Sequence, residues 1–291
     1  MRIWPLVLGV VLQSLIILLI YSLASANAPP PRLLAFDLVA LPGEKVALEV
    51  RIDQDLPPLL GSDDDAWSVT IDGTAPGSLP ATATTATNHP LLVALTAPEK
   101  PGIIELRVRA KSADDDVDLE RKVVLQVVPA DARIVISTVR HTLWSRPIAR
   151  MSETGESLPP RARPGASATL GRLAADHSIL YLELIPRRYL PWIGDWLDEN
   201  GFPKGAVLFV RDHDPRRPDT RGAALIRFLS RRIKDRWKSG AWAFGSDEEE
   251  TQALATVGFR TVHIGARGSD SGNAPTVVPA QSWVAVDDII K

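Results

Sequence analysis

At 291 residues the chain has room for two domains of ordinary size, and a net charge of −2 excludes a protein built to hold polyanions over its whole surface. Apolar residues make up 45% and charged residues 23%, the balance of a globular protein. The absence of cysteine excludes disulfides, thiolate metal centres and cysteine nucleophiles, and no long Lys/Arg run points to nucleic acid.

The chain opens with an uncharged stretch from Ile3 to Pro31, apolar from Leu6 to Tyr21, with only Arg2 and the amino terminus positive ahead of it. Ala24-Ser25-Ala26 and Ala26-Asn27-Ala28 each have the small-x-small form of a cleavage site. Residues 1–28 therefore read as a signal peptide or a membrane anchor, with a buried core helix as the competing reading. Signal and anchor both place the remainder outside the cytoplasm, in the periplasm or cell envelope. Pro29-Pro30-Pro31 would be a stiff spacer.

Residues 33–129 carry strand signals in short pieces: LLAFDLVAL, KVALEVRID, WSVTIDG, LLVALTAP, IIELRVRAK and RKVVLQVVP. Val46, Leu48, Val50 and Ile52 alternate with polar neighbours, as do Ile104, Leu106 and Val108. Pro42-Gly43, Asp72-Gly73 and Pro101-Gly102 supply turns between them. The pattern predicts an all-β sandwich of immunoglobulin-like type without the Cys…Trp…Cys signature. The acidic runs Asp63–Asp65 and Asp114–Asp116 are solvated loops or calcium ligands; a single loop rarely supplies the six or so oxygens calcium takes.

From residue 132 to 291 the period changes. Strand-like runs IVIS, ILYLELIP, AVLFV, AWAFG and TVHI alternate with helical stretches around Ser167–Asp176, Leu190–Asn200, Arg221–Lys238 and Glu248–Val257. Asn200-Gly201 is a helix stop. Alternating strands and helices predict a parallel sheet covered on both faces, with a ligand site at the carboxyl ends of its strands. The fold class is thus multidomain: a β-sandwich followed by an α/β layer.

Three pieces of this segment resemble the C-terminal phosphatidate-phosphatase domain of the lipins and related phosphatases, within the haloacid-dehalogenase superfamily. They are IVISTVRHTL (134–143), YLELIPRRYLPWIGDWLDENGFPKGAVLFVRD (181–212) and AWAFGSDEEETQALATVGFRTVHI (241–264). The resemblance implies a haloacid-dehalogenase-like sheet and an Asp-x-Asp-x-Thr loop after the first strand. The first Asp would be the nucleophile and the second a general acid/base, with Mg²⁺ held by carboxylates near the fourth strand. In this chain the nucleophile position is Thr138 and the acid/base position Arg140; Thr142 alone matches. The phosphate-holding hydroxyl position falls on Glu183, the Lys position near Arg221, and the fourth-strand positions on Ser246 and Glu250. A guanidinium at 140 neither takes nor gives a proton at working pH and opposes Mg²⁺ by like charge.

These substitutions predict a domain without the covalent route and without a cofactor, Mg²⁺ entering only in the enzyme alternative below. One reading keeps a phosphate-bearing ligand, such as the anionic lipid phosphatidic acid, held by Thr138, Arg140, Thr142 and Arg221, two Arg offering bidentate contacts. The family includes lipid-transfer domains lacking the nucleophile that are associated with phosphatidic-acid binding. Against this, Glu183 would repel phosphate and could pair internally with Arg140. A second reading is an enzyme with rebuilt chemistry, for which Asp212-His213-Asp214 and the Asp247–Glu250 run are the close groupings. A third is a structural or interaction module with an envelope protein partner, the eight Trp supplying either anchors or core. Arg227, Arg231, Arg232, Lys234, Arg236 and Lys238, with Arg216 and Arg217 upstream, form either a solvated helix face or an anionic-lipid surface.

Overall fold

A computed structural model describes residues 30–53, 66–73, 81–87, 89–113, 117–144, 161–184, 190–210, 221–234, 236–237, 241–265 and 277–290. The N-terminal apolar segment, both acidic runs, Arg216, Arg217, Lys238 and Asp212-His213-Asp214 lie outside the described residues. Among the described residues no helix is long and apolar enough to cross a membrane.

The first half builds two packed sheets. Strands β1 (Arg32–Ala35), β3 (Lys45–Asp53) and β6 (Leu91–Thr96) form one, in the order β1-β3-β6. The other has the order β2-β8-β7-β4-β5, from β2 (Leu38–Ala40), β4 (Ala66–Gly73), β5 (Ala81–Ala86), β7 (Gly102–Ser112) and β8 (Asp118–Val127). Alternation decides what lies between them. Leu48, Val50 and Ile52 of β3 meet Val69, Ile71, Val108 and Val123 in one buried cluster. The apolar run LLAFDLVAL is two strands, not one. It breaks at Phe36-Asp37 because alternate residues serve different cores: Leu33 and Ala35 face the sandwich, whereas Leu34 and Phe36 enter the α/β core. β5, ATATTA, carries too few large apolar residues to announce a strand and is held by pairing with β4.

The second half is a six-stranded parallel sheet. Its strands are β9 (Ile134–Thr138), β10 (Ser178–Glu183), β11 (Ala206–Phe209), β12 (Trp242–Gly245), β13 (Arg260–Ile264) and β14 (Val277–Ala280), in the order β11-β10-β9-β12-β13-β14. β9 is central and buried at every residue, which its continuous apolar run requires. Burial of each of Ile134, Val135 and Ile136 contributes about 1.5–3 kcal/mol. Helices α1 (Ala166–Leu173), α2 (Leu190–Glu199), α3 (Arg221–Leu229), α4 (Glu248–Val257) and α5 (Trp283–Ile289) accompany it. Clusters on both sides of the sheet bury Trp144, Trp196 and Trp283 on one and Trp237 on the other, so these tryptophans are core. The sheet is the parallel layer that alternating strands and helices predict. The helix expected over Arg221–Lys238 is α-helical only to Leu229 and continues as a π-helical turn over Ser230–Lys234. β14 and α5 follow the last expected strand; β14 is four residues long, one of them Pro279, too short and broken to declare itself.

The two halves share strand β8. Val123, Leu125 and Val127 point into the sandwich, while Val124 and Val128 pack on the α/β side. Gln126 Oε1 accepts the Ala206 N–H at 2.8 Å, and Asp37 accepts N–H groups from both halves, Val124 at 2.9 Å and Val207 at 2.8 Å. These acceptors cover the β11 edge, whose donors would otherwise be unpaired. Arg236 lies in this junction rather than on the basic helix face: its guanidinium grips Glu44 at 2.9 and 2.5 Å. Arg227, Arg231, Arg232 and Lys234 are exposed.

Candidate functional site

The strand order reverses between β9 and β12, and in an open parallel sheet the ligand crevice lies outside the carboxyl ends at such a point. β9 ends at Thr138 and turns sharply. The Val139 N–H donates to Leu182 O at 3.0 Å, and the Leu143 N–H returns to Val139 O at 3.0 Å. His141 takes a left-handed φ of 61°, rare for a residue with a Cβ. This turn brings Thr142 back over Thr138, their hydroxyl oxygens 2.7 Å apart. The Thr142 hydroxyl donates to Ser246 Oγ, just past β12, at 3.3 Å. The loop is braced from behind: Trp283 Nε1 donates to Thr142 O at 2.8 Å and the Arg163 N–H to Leu143 O at 2.7 Å.

The β12 side is set by a helix start. Asp247 caps α4, its carboxylate accepting the Glu250 N–H at 3.2 Å, in a D-x-x-E pattern readable in the sequence. Glu250 does not reach back to complete a capping box. Its side chain is 2% exposed, and Oε2 has no hydrogen-bond partner. Burial, reinforced by the Asp247 charge, pushes its pKa up to about 7; Arg140, Arg221 and the Thr138 hydroxyl work in the opposite direction. Gly245 permits this arrangement, since a Cβ there would sit 2.7 Å from Thr251 Cγ2. Glu249 Oε1 accepts the Gly222 N–H at 2.7 Å and so fixes the start of α3, with Arg221, near the crevice.

The carboxyl ends of β9 and β12 therefore gather Thr138, Thr142 and Ser246 in one row of hydroxyls, the two threonines buried, with buried Glu250 beside it and Arg140 and Arg221 within its field. Glu183 ends β10, fully buried, and its Oε1 accepts the Leu184 N–H at 2.8 Å. The expected Arg140–Glu183 ion pair does not form among the described residues: Glu183 bonds its own backbone, and Arg140 acts on Glu250 and His141. Asp247 belongs to the acidic run singled out from sequence, and it caps α4; two other contributors were not singled out. His141, held below its ordinary pKa by burial and then by Arg140, and the brace from Trp283 give no sequence signal, because they follow from the turn and from a helix far along the chain.

Among the described residues the donors offer Mg²⁺ little: hard divalent cations take several oxygen ligands, mostly carboxylates, whereas the Glu250 carboxyl beside the hydroxyls lies in the field of Arg140 and Arg221. Among the described residues no three His, Asp or Glu side chains converge as a metal centre would require. The row of hydroxyls supplies hydrogen bonds, with Thr138 at the end of β9.

No family model matches the chain, and no curated protein matches it. Among solved structures, a D,D-heptose 1,7-bisphosphate phosphatase from B. bronchiseptica is similar at 16% identity, covering 54% of this chain and 97% of that one, with a TM-score of 0.41. A complex of human zinc 2-glycoprotein and prolactin inducible protein is similar at 9% identity, covering 35% of this chain and 97% of that one, with a TM-score of 0.26. A cohesin–dockerin complex from Clostridium thermocellum follows at 9% identity, 34% and 100% coverage and a TM-score of 0.23.

Proposed function

We propose that the chain is a non-catalytic, phosphatase-like protein of the cell envelope that binds a phosphate-bearing ligand in the crevice between β9 and β12. The observation that carries this reading is the unbroken row Thr138–Thr142–Ser246 beside Glu250, on which the charges of Arg140 and Arg221 act. Hydroxyls and guanidinium groups are what a phosphoryl group needs to be held; the pair of aspartates needed to cleave it is replaced by Thr138 and Arg140. The lipin-type resemblance supports phosphatidic acid as the ligand, and the basic face of α3 and its π-helical end supports an anionic surface beside it. On this reading the sandwich is an immunoglobulin-like spacer, and residues 1–28 are a secretory signal or anchor.

Glu250 sets when the ligand is held. Neutral, it removes a negative charge from beside the phosphate. The hydroxyls can then donate in one direction, Thr138 to Thr142 and Thr142 to Ser246, leaving the Ser246 O–H for a phosphate oxygen.

Flotation with phosphatidic-acid vesicles, against phosphatidylcholine vesicles, tests the reading. Binding lost in Arg140→Ala and Arg221→Ala is expected. No binding at low salt leaves a docking module with a protein partner. Hydrolysis of a generic phosphate ester with Mg²⁺, abolished by Glu250→Gln, would overturn the non-catalytic claim in favour of an enzyme with rebuilt chemistry.

A further inference from the structure

A second cleft, of about 460 Å³, opens between the sandwich and the α/β layer, on the far side of β11 from the strand-end crevice. Its size lies within the range of small-molecule sites. Several of its charges are already engaged. Glu105 pairs with Lys204 at 2.7 Å across the junction, and Glu120 pairs with Arg107 and Arg109 at 3.1 and 2.9 Å. Both carboxylate oxygens of Asp37 accept backbone N–H groups. Arg121 differs. Its Nε donates to Ala35 O at 3.2 Å, while Asp37 and Asp195 act on it through space without closing an ion pair among the described residues. A largely buried guanidinium is thus held in place by one bond, leaving its terminal nitrogens as a fork. Asp195 and Asp198, exposed on α2, stand on the opposite wall, and Lys122 stands beside Arg121 on β8.

We propose that this cleft binds a small polyhydroxylated anion, a sugar acid or a sugar phosphate, with Arg121 taking the oxyanion and Asp195 and Asp198 accepting the ligand's hydroxyl protons. A planar fork matches the two oxygens of a carboxylate or a phosphate. Carboxylates that only accept hydrogen bonds favour hydroxyl donors and repel a bare anion. The combination selects an anion carried on a hydroxylated body over an anion alone. Asp37, in the cleft lining, ties β8 to β11, so that part of the site is formed before the ligand arrives.

Titration calorimetry of the full chain with glucuronate, glucose 6-phosphate, glucose and inorganic phosphate tests the assignment. At least one charged sugar binds, glucose does not, and inorganic phosphate binds about tenfold more weakly or not at all. Glucuronate against glucose 6-phosphate tells the two oxyanion sources apart. Arg121→Lys keeps the charge and loses the fork, weakening binding about tenfold or more. Should that variant fail to fold, Asp195→Asn at the exposed wall decides, with an expected loss of about threefold to tenfold. Gln252→Ala, exposed on α4 and outside both sites, leaves this binding unchanged. No binding of either charged sugar, equal binding of inorganic phosphate, or affinity indifferent to both Arg121→Lys and Asp195→Asn overturns the proposal.

Discussion

The hydroxyl oxygens of Thr138 and Thr142 lie 2.7 Å apart, one at the end of β9 and the other returned to it by the turn through His141. Thr142 is fully buried, and its hydroxyl also contacts Ser246. Thr142→Val keeps the shape and removes the middle of the row, leaving its neighbours short of a partner away from water. It is expected to cost about 1–3 kcal/mol, read by urea denaturation, while Thr142→Ser recovers most of that. Equal stability of Thr142→Val and the parent would mean the row contributes nothing.

The start of β11 is the tightest approach among the described glycines. A Cβ on Gly205 would lie 2.3 Å from Ile179 O and 3.1 Å from Tyr181 Cε2, and neither can swing aside. Tyr181 is locked, its hydroxyl donating to Pro203 O at 2.7 Å. Gly205→Ala therefore forces β10 and β11 apart and is expected to cost about 3 kcal/mol or more. Gly201, at φ 69° with nothing within 4 Å of its Cβ position, is the control; Gly201→Ala carries only backbone strain of about 1 kcal/mol. Thermal melts that rank the two variants the other way would contradict the packing argument.

Much of this architecture was readable from residues. β9 and β10 announce themselves because a strand buried on both faces must be apolar throughout, and Pro203-Lys204-Gly205 marks the entry to β11 through a glycine that proves sterically required. Thr138, Thr142, Ser246 and Glu250 were grouped by what the resemblance implies, and their side chains do meet. What escaped depends on partners distant in sequence. Arg140 and Glu183 look complementary by charge, yet the Leu184 N–H claims a Glu183 oxygen. Asp37 reads as a break in an apolar run; its role emerges only when Val207 arrives 170 residues later.

Asp37 is one of the acceptors that join the halves. Burial pushes its pKa up to about 6, against the pull of the Val124 and Val207 N–H groups and of Arg121. Asp37→Asn replaces one acceptor oxygen with an NH₂ that faces an N–H donor. One backbone donor at the junction is left unpaired, at a cost of about 1–3 kcal/mol. Limited proteolysis of the variant should cut between the halves faster than in the parent, and an unchanged cleavage rate with unchanged stability would remove Asp37 from the junction.

Glu250 gives the crevice its pH dependence. Its pKa rises from an ordinary 4.5 to about 7 in the folded protein. The folded state therefore binds the proton more tightly than the unfolded chain, and stability falls with rising pH wherever the two differ in protonation. The contribution of Glu250 is full below about pH 4.5 and is lost as pH rises through 7. Asp37 behaves in the same sense between 3.8 and about 6, and His141, held below its ordinary 6.5, acts in the opposite sense below that value, so the interval from pH 6.5 upward through 7 belongs mainly to Glu250. Glu250→Gln cannot ionise and should flatten stability across that interval, measured as urea midpoints at a series of pH values. Retention of phosphatidic-acid vesicles should weaken in the parent as pH rises through 7, because an ionised Glu250 repels phosphate, and should stay level in the variant. Parallel pH profiles for parent and variant, in stability and in vesicle retention, would show that Glu250 does not govern the crevice.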